Sequence, residues 1–245
     1  MTEETSTLQD FPLQASIQAV KTSADFESYD DFYRYLLDHL PQNSPQTRQR
    51  YAELIGKRYF PGLSLDNLLP HAWRAYRDER ILVNLMRVYA MEAEPVIARF
   101  VMDKVWPLGA GQVFDADVAR TFIQETYGVF KENSYSRLLL TVRHLGFLGR
   151  YDGELVVEQI PLPADALLIL LHDRLAPTPR IVRLNEVLEA NWWRFLGIKQ
   201  PDDVRHILRQ AEASGLISRY AAVDELEQVT TRFTRDQYIT EAKRL

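Results

Sequence analysis

Hydrophobic residues recur every three to four positions over most of the chain, and this spacing predicts amphipathic helices. In the stretch 28–40 the apolar residues Phe32, Leu36 and Leu40 share one face, and Ser28 stands before them as a helix N-cap. A second helix is predicted over 45–59, because Ser44 followed by a proline is a strong start signal. Further helices are predicted over 65–78, 79–93, 95–105, 115–130, 134–145 (with Ser134 as its N-cap), 164–175, 183–196 and 201–213.

The hydrophobic period changes to two residues around 151–159. There Leu155 and Val157 alternate with Val156, and Asp152-Gly153 is a turn dipeptide, so the segment predicts a β-hairpin. A second pair of strands is predicted in "LISRY" and "LEQVTTRF", near the end of the sequence. The predicted fold class is therefore mostly α: a helical bundle with helix-turn-helix or winged-helix modules and short β-hairpins.

The two predicted hairpins follow the same order of elements. "GFLGRY" begins at Gly146 and "GLISRY" begins at Gly215, and an amphipathic helix precedes each. We therefore divide the chain into a flexible N-terminal arm over 1–27, a helical domain over 28–175 and a C-terminal winged-helix-like module over 176–245. The helical domain contains a helix-turn-helix over 28–60 and a winged helix over 115–160.

Composition narrows the classes of protein further. Of 245 residues 46% are hydrophobic and none is cysteine, which favours a globular chain without disulfides or thiol chemistry. The opening "MTEETSTLQDF" has neither the basic nor the apolar region of a signal peptide, and no apolar run approaches the ~20 residues of a membrane span. We expect a soluble, cytoplasmic protein with no membrane partner.

Motifs for catalysis are missing from the sequence. It has no P-loop, no G-x-S-x-G, no H-E-x-x-H and no EF-hand loop, and the five histidines fall in separate segments. We expect no catalytic residues, no metal site, no cofactor and no enzymatic activity. The net charge of −5 argues against non-specific coating of nucleic acid, but a chain with this net charge can still carry local basic faces.

One such face is predicted in the central winged helix. The segment from Ser134 to Tyr151 contains no acidic residue, and Leu138, Leu139, Val142 and Leu145 form the buried side of its helix. A winged helix presents a recognition helix to a groove of the nucleic acid and its hairpin to the backbone. The candidate contacts are Ser136, Arg137, Thr141, Arg143 and His144 on the helix and Arg150 at the base of the wing. A solvated basic surface without a ligand explains the pattern about equally well.

The N-terminal helix-turn-helix supplies a second candidate surface. Hydroxyl groups near a helix N-terminus suit a phosphate, and cationic side chains follow along the same helix. The candidate contacts here are Ser44, Thr47, Arg48, Arg50, Lys57 and Arg58. A helical hairpin inside a bundle is an equally good explanation. The C-terminal module has mixed charges, which favour packing or a protein partner, and Trp192 and Trp193 suit a core or an interface.

The order of these segments resembles that of the BrxA family, accessory proteins of the BREX phage-defence systems. The resemblance covers roughly 28–160 and is carried by "NSPQTRQRYAELIGKRYF", "ILVNLMRVYAMEAEPVIARFVMDKVW", "FDADVARTFIQETY" and "SYSRLLLTVRHLGFLGRYDGELVV". It implies an all-helical core of the NusB type, no enzymatic activity and association with DNA. The part beyond about 180 is longer than the resemblance implies.

The leading prediction is a non-catalytic protein that binds double-stranded DNA as an accessory of a phage-defence system, with other defence proteins as further partners. The alternative is a protein–protein adaptor that docks through its winged helices. Convergence of the basic residues of 44–58 and 136–150 on one exposed face would favour nucleic acid.

Overall fold

The computed structural model describes residues 8–223 and 226–241. The described part of the chain is mostly helical, with 61% of these residues in helices, and it forms two small antiparallel sheets of two and three strands. This confirms the predicted fold class of helices with short β-hairpins.

Most of the predicted helices are present, and two further helices, Leu13–Ser23 and Arg235–Glu241, were not predicted. They are α1 Leu13–Ser23, α2 Tyr29–His39, α3 Pro45–Tyr59, α4 Leu68–Tyr76, α5 Glu79–Ala93, α6 Pro95–Phe100, α7 Ala116–Tyr127, α8 Glu132–His144, α9 Ala164–Leu170, α10 Leu184–Glu189, α11 Trp192–Phe195, α12 Pro201–Ala213 and α13 Arg235–Glu241. Helices α6 and α9 each continue into one π-helical turn, Val101–Val105 and Leu171–Leu175.

The strands form two separate sheets. They are β1 Leu148–Tyr151, β2 Glu154–Val157, β3 Ile181–Arg183, β4 Arg219–Val223 and β5 Leu226–Thr230. β1 and β2 pair as an antiparallel hairpin, with Leu148 opposite Val157. The second sheet has the order β3-β5-β4, with both neighbours antiparallel to β5.

The chain forms two compact units. The first unit comprises Met1–Gln14 and Met91–Pro161, and the second comprises Ala15–Ala90 and Leu162–Leu245. The boundary predicted between 175 and 176 falls within the second unit. Helix α9, for example, is part of the second unit, and its π-helical turn packs on α10 and α13.

The first unit has the element order of a winged helix. Helix α6 with its π turn is followed by an extended segment at Val113, then by α7, α8 and the β1-β2 hairpin. Val113 pairs with Val156 of β2, and Phe114 N–H donates to the Leu155 carbonyl at 2.7 Å. The extended segment thus lies beside β2, so the order across the small sheet is extended segment, β2, β1.

The second unit contains the same arrangement in its C-terminal part. Helix α9 with its π turn is followed by β3, α10, α11, α12 and the β4-β5 hairpin, and β3 lies beside β5. The π turns have related sequences, "VMDKV" and "LHDRL". Gly146 and Gly215, which follow the last helix of each arrangement, have positive φ angles of 79° and 71°, a conformation that favours glycine.

The two hairpins also share a side-chain contact. The Tyr151 hydroxyl donates to Glu158 at 2.6 Å, and the Tyr220 hydroxyl donates to Glu227 at 2.5 Å. In both cases the tyrosine directly follows an arginine, Arg150 or Arg219, and precedes its glutamate by seven residues. Together with the matching element order, this contact indicates that the Gly215 segment is a second copy of the arrangement at Gly146.

Three local predictions differ from the structure. Residues 8–27 were assigned to a flexible arm, but Leu8, Phe11, Ile17 and Val20 are buried and α1 spans most of the segment; residues 1–7 lie outside the described part. The helix predicted over 183–196 begins one residue later, because Arg183 is extended and ends β3, and it is divided into α10 and α11 at Ala190, whose φ and ψ angles of −82° and 52° are not helical. Helix α8 begins at Glu132, so Ser134 lies within its first turn, buried, and is not the N-cap.

Candidate nucleic-acid interface

Helices α2 and α3 form the predicted helix-turn-helix, and each begins at the expected cap. The Ser28 side chain accepts a hydrogen bond from the Asp31 N–H, and the Ser44 side chain accepts one from the Thr47 N–H at 3.1 Å. The hydroxyl groups of Ser44 and Thr47 also bond to each other at 2.8 Å. Both hydroxyls thus serve the start of α3 and need no bound phosphate to explain them.

Arg48 fixes the turn between the two helices. Its Nε donates to the Leu37 carbonyl at 2.7 Å and its Nη1 donates to the Gln42 carbonyl at 2.9 Å. These carbonyls belong to the end of α2 and to the following loop, so one guanidinium ties α2, the loop and α3 together. Arg48 was predicted as a DNA contact, but this geometry gives it a positioning role.

The two helices also approach each other closely at Gly56. A Cβ atom at this position would lie 2.2 Å from the Tyr29 hydroxyl oxygen, well inside van der Waals contact. Tyr29 is packed between Phe32 and Phe60, and burial raises the pKa of its hydroxyl to about 12. Only glycine allows this spacing, which sets the distance between α2 and α3.

The exposed face of α3 is polar. Gln46, Gln49, Arg50 and Lys57 lie on it, and the Arg50 guanidinium carbon is 5.4 Å from the centre of the Tyr51 ring. The acid on this face, Glu53, accepts a hydrogen bond from Gln49 at 3.0 Å. Arg58 does not belong to the face, because it is buried with 2% of its surface exposed.

Gln49 was not among the predicted contacts. It lies three residues after Gln46 and one before Arg50, which places all three side chains on neighbouring positions of the first two turns. Glutamine and arginine are the side chains that read adenine and guanine edges in the major groove. The helical spacing from Gln46 was the signal that could have identified it.

The predicted recognition face of α8 is covered by the N-terminal segment. Arg137 donates to Asp10 at 2.8 Å and to the Leu8 carbonyl at 2.8 Å. The Leu8 N–H donates to the Ser134 hydroxyl at 3.3 Å. We name residues 8–11 the N-terminal strap. Because the strap lies across this side of α8, the interpretation of the Arg137 side as an exposed recognition face is wrong.

The other residues predicted on that face are also engaged. His144 Nδ1 lies 3.1 Å from the Phe11 carbonyl oxygen, which accepts a hydrogen bond when that nitrogen carries the proton. The His144 and Phe11 rings are tilted against each other, with their centres 6.2 Å apart. Thr141 is buried with 1% of its surface exposed. Leu138, Val142 and Leu145 are buried as predicted, whereas Leu139 is half-buried. The face that remains accessible is turned toward the hairpin.

That accessible face forms one side of a groove. Ser136, Arg143 and Arg150, three of the predicted contacts, line it together with residues of the extended segment and of β2. Its volume is about 790 Å³. We name it the hairpin groove. Residues 44–58 belong to the second compact unit and residues 136–150 to the first, so the twelve predicted contacts fall into two groups, one in each unit.

The second winged-helix arrangement ties its cations to acids. Arg205 of α12 donates to Glu227 of β5 at 2.7 Å and to Asp202 at 2.9 Å. The Arg205 and Tyr220 hydrogen bonds lower the pKa of the Glu227 carboxyl. Trp192 and Trp193 are buried, and Trp193 Nε1 donates to the Leu188 carbonyl, in agreement with the expected core role.

The described residues contain neither a candidate metal centre nor a candidate membrane span. No cluster of three or more histidine, cysteine, aspartate or glutamate side chains in 8–223 and 226–241 could hold a metal ion. Within the same residues no helix is long and apolar enough to cross a membrane.

Comparisons with protein-family models, with curated proteins and with solved structures found no match to this chain.

Proposed function

We propose that this chain is a non-catalytic protein that binds double-stranded DNA through the exposed face of α3. The observation that carries the proposal is the composition of that face at the start of the helix. Gln46, Gln49 and Arg50 present hydrogen-bonding and cationic groups on its first two turns, and Lys57 adds a cation two turns later. The N-terminal turns of a recognition helix are the part that reaches base edges in the major groove.

The rigidity of the helix-turn-helix supports this proposal. A helix that reads bases must be held at a fixed angle to the rest of the protein. Arg48 bonds to two backbone carbonyls of the preceding helix and loop, and Gly56 permits close packing against Tyr29. Arg48, although predicted as a DNA contact, is therefore used to orient α3, and the exposed side chains of α3 remain available to DNA.

The positions of several acidic residues argue against DNA binding through a wing. A wing that follows the phosphate backbone needs cations at its tip. The tip of the β1-β2 hairpin instead carries Asp152 in its turn and Glu154 at the start of β2. The N-terminus of α12 carries Asp202 and Asp203. We therefore assign the DNA contact to α3 and not to a wing.

The biological setting is taken from the sequence resemblance. The BrxA resemblance places such a protein, acting in the cytoplasm, as an accessory of a phage-defence system of the BREX type. A chain that contains both winged helices and a helix-turn-helix suits a protein that joins DNA to other components of an assembly.

A mobility-shift titration tests the proposal. The full chain is mixed with duplex DNA, with duplex RNA and with single strands, each over a series of salt concentrations. We expect duplex DNA to bind and the affinity to fall linearly with the logarithm of the salt concentration. Absence of binding to any of these nucleic acids at low salt would contradict the proposal.

A protein–protein adaptor is the second candidate function. The observation that favours it is the hairpin groove, whose floor is largely apolar and accessible to solvent. The two candidates use different surfaces in different units, so the same titration separates them: an adaptor without a DNA function leaves all nucleic acids unbound.

A further inference from the structure

We propose that the hairpin groove is a docking site for a partner protein, and that the partner inserts a short segment in which a carboxylate lies between apolar side chains. The groove is lined by Val113, Leu139, Leu140 and Leu155 together with the guanidinium groups of Arg143 and Arg150. This inference is independent of DNA binding by α3, because the groove belongs to the first unit and α3 to the second.

The floor of the groove is apolar and exposed. Val113 has 58% of its surface exposed and Leu140 has 42%, and both are large hydrophobic side chains that the fold does not cover. Exposed apolar residues that lie together, rimmed by polar ones, are typical of interaction sites. Since so much of Val113 and Leu140 faces solvent, the groove is open and suits a segment of a protein better than an enclosed small molecule.

The hairpin explains why the groove exists. Arg150 lies opposite Leu155, on the same face of the hairpin as the buried pair Leu148 and Val157. This face packs on the helices at Leu148 and Val157 and continues beyond them. Arg150 and Leu155 therefore extend the inner face of the hairpin into solvent, and α8 supplies the opposite wall.

The two arginines determine the charge of the occupant. The Nε of Arg143 is buried and has no hydrogen-bond partner among the described residues. Arg150 is exposed, and within the same residues it forms no ion pair. A carboxylate in the groove can accept charge-assisted hydrogen bonds from Arg150, and its charge also offsets that of Arg143, whose buried Nε lies out of reach of a ligand in the groove.

The composition of the lining favours a peptide over a nucleic acid. Asp115 and Glu154 also line the groove, and Asp115 caps α7 through the Asp117 N–H at 2.9 Å. A phosphate backbone would meet these carboxylates and an apolar floor. A peptide can bury its apolar side chains on this floor and place a single carboxylate at the two arginines, whereas a phosphate backbone repeats its charge at every nucleotide.

A random-peptide phage library provides the test. Phage are selected on the immobilised full chain after removal of those that bind the Leu140→Asp variant. We expect enriched peptides to contain aspartate or glutamate flanked by leucine, isoleucine or phenylalanine. A labelled synthetic copy of the enriched sequence should bind wild type, and its affinity should fall at least about tenfold in Leu140→Asp and in Arg143→Glu.

Matched controls keep the result interpretable. Val129 has 58% of its surface exposed, lies in the same unit and does not line the groove, so Val129→Asp should bind the peptide as wild type does. Arg219→Glu changes the arginine that corresponds to Arg150 in the other hairpin and should also leave binding unchanged. Leu140→Asp and Arg150→Glu alter exposed side chains, so they test the groove even if Arg143→Glu is unstable.

Three outcomes would overturn the proposal. The first is that no peptide is enriched against the counter-selected variant. The second is that the enriched peptides are basic, or that Val129→Asp weakens peptide binding as much as Leu140→Asp does. The third is that Leu140→Asp and Arg150→Glu abolish duplex DNA binding, which would make the groove a nucleic-acid surface. Loss of DNA binding in α3 variants alone bears on the other site and leaves the docking site intact.

Discussion

The Nε of Arg137 lies 2.8 Å from the Oδ1 of Asp10, across 127 positions of the sequence. Both side chains are largely buried. The same guanidinium donates to the Leu8 carbonyl, and His144, about two turns further along α8, contacts the Phe11 carbonyl. The N-terminal strap is thus attached to α8 by polar contacts as well as by the buried side chains of Leu8 and Phe11.

Removing this ion pair should loosen the strap. We expect Asp10→Ala to lower the free energy of unfolding by about 1 kcal/mol, and Arg137→Ala to lower it further because the bond to Leu8 is also lost. Urea unfolding of the two single variants and the double variant gives their coupling energy, expected to be roughly 0.5–1 kcal/mol. The exposed pair Asp117 and Arg120 in the same unit is the control and should show no measurable coupling. Strict additivity of Asp10→Ala and Arg137→Ala would contradict the structure.

The contact between Gly56 and Tyr29 predicts a rescue. Gly56→Ala places a methyl group against the Tyr29 hydroxyl and should destabilise the protein by about 1–3 kcal/mol, because the two helices must move apart. The nearest ring carbon, Cζ, is 3.5 Å from the added Cβ, an ordinary contact. Adding Tyr29→Phe should therefore restore much of the loss, as measured by thermal unfolding. A double variant as unstable as Gly56→Ala would show that the hydroxyl is not the obstacle.

His172 predicts a pH dependence of stability. Its ring is buried, stacks on Tyr238 at 4.0 Å and lies with Nδ1 2.8 Å from the Leu168 carbonyl, while Nε2 has no partner among the described residues. Burial lowers the pKa of His172 below its usual 6.5. As the pH falls below 6.5, the unfolded chain takes up a proton that the folded chain does not, so stability decreases until the folded pKa is reached.

The variant His172→Phe isolates this contribution. We expect wild type to lose stability with a slope of up to about 1.4 kcal/mol per pH unit more than the variant does on the acid side of neutrality. The difference is the quantity to measure, by urea unfolding at several pH values, because burial raises the pKa of neighbouring Asp173 and acts in the opposite direction. Parallel pH profiles of the two proteins would contradict a buried neutral histidine.

Variants of Arg48 and Arg50 should differ in their effect on stability, because Arg48 holds the helix-turn-helix together and Arg50 lies on its exposed face. Arg48→Ala removes a charged donor from the carbonyls of Leu37 and Gln42, and we expect it to cost about 1–3 kcal/mol of unfolding free energy. Arg48→Lys should also destabilise, because an ammonium group cannot reproduce the fork of the guanidinium. Arg50→Ala alters an exposed side chain, so we expect it to lower the free energy of unfolding much less than Arg48→Ala does. An Arg48→Ala protein as stable as wild type would remove the positioning role.

Local sequence signals were sufficient for much of this fold. Ser44 with Pro45 marked the start of α3, and Asp152-Gly153 marked the turn of the first hairpin, because caps and turns depend on neighbouring residues. The strand β3 was missed because three residues carry too short a pattern to stand out from a helix. Its pairing with β5 is a long-range contact, which a local pattern does not encode.

The candidate site was less predictable for the same reason. The charge pattern selected Arg48, Arg58 and Arg137 as DNA contacts. A sequence does not show which cations are buried or bonded inside the folded protein. Arg58 is buried, Arg48 bonds to backbone carbonyls and Arg137 bonds to Asp10, a residue assigned to a flexible arm. Helical spacing could place Gln46, Gln49 and Arg50 on one face, since that relation is local.

The salt dependence of duplex DNA binding by the double variant Arg50→Ala/Lys57→Ala tests the central claim most directly. If α3 contacts DNA, this variant should bind more weakly than wild type and lose about one unit of salt slope for each phosphate contact removed, with thermal unfolding unchanged. The matched variant Arg143→Ala/Arg150→Ala, which also removes two cations, should keep the wild-type slope. A wild-type protein that binds duplex DNA with the same affinity and slope as Arg50→Ala/Lys57→Ala would contradict the assignment of α3 as the DNA-binding surface.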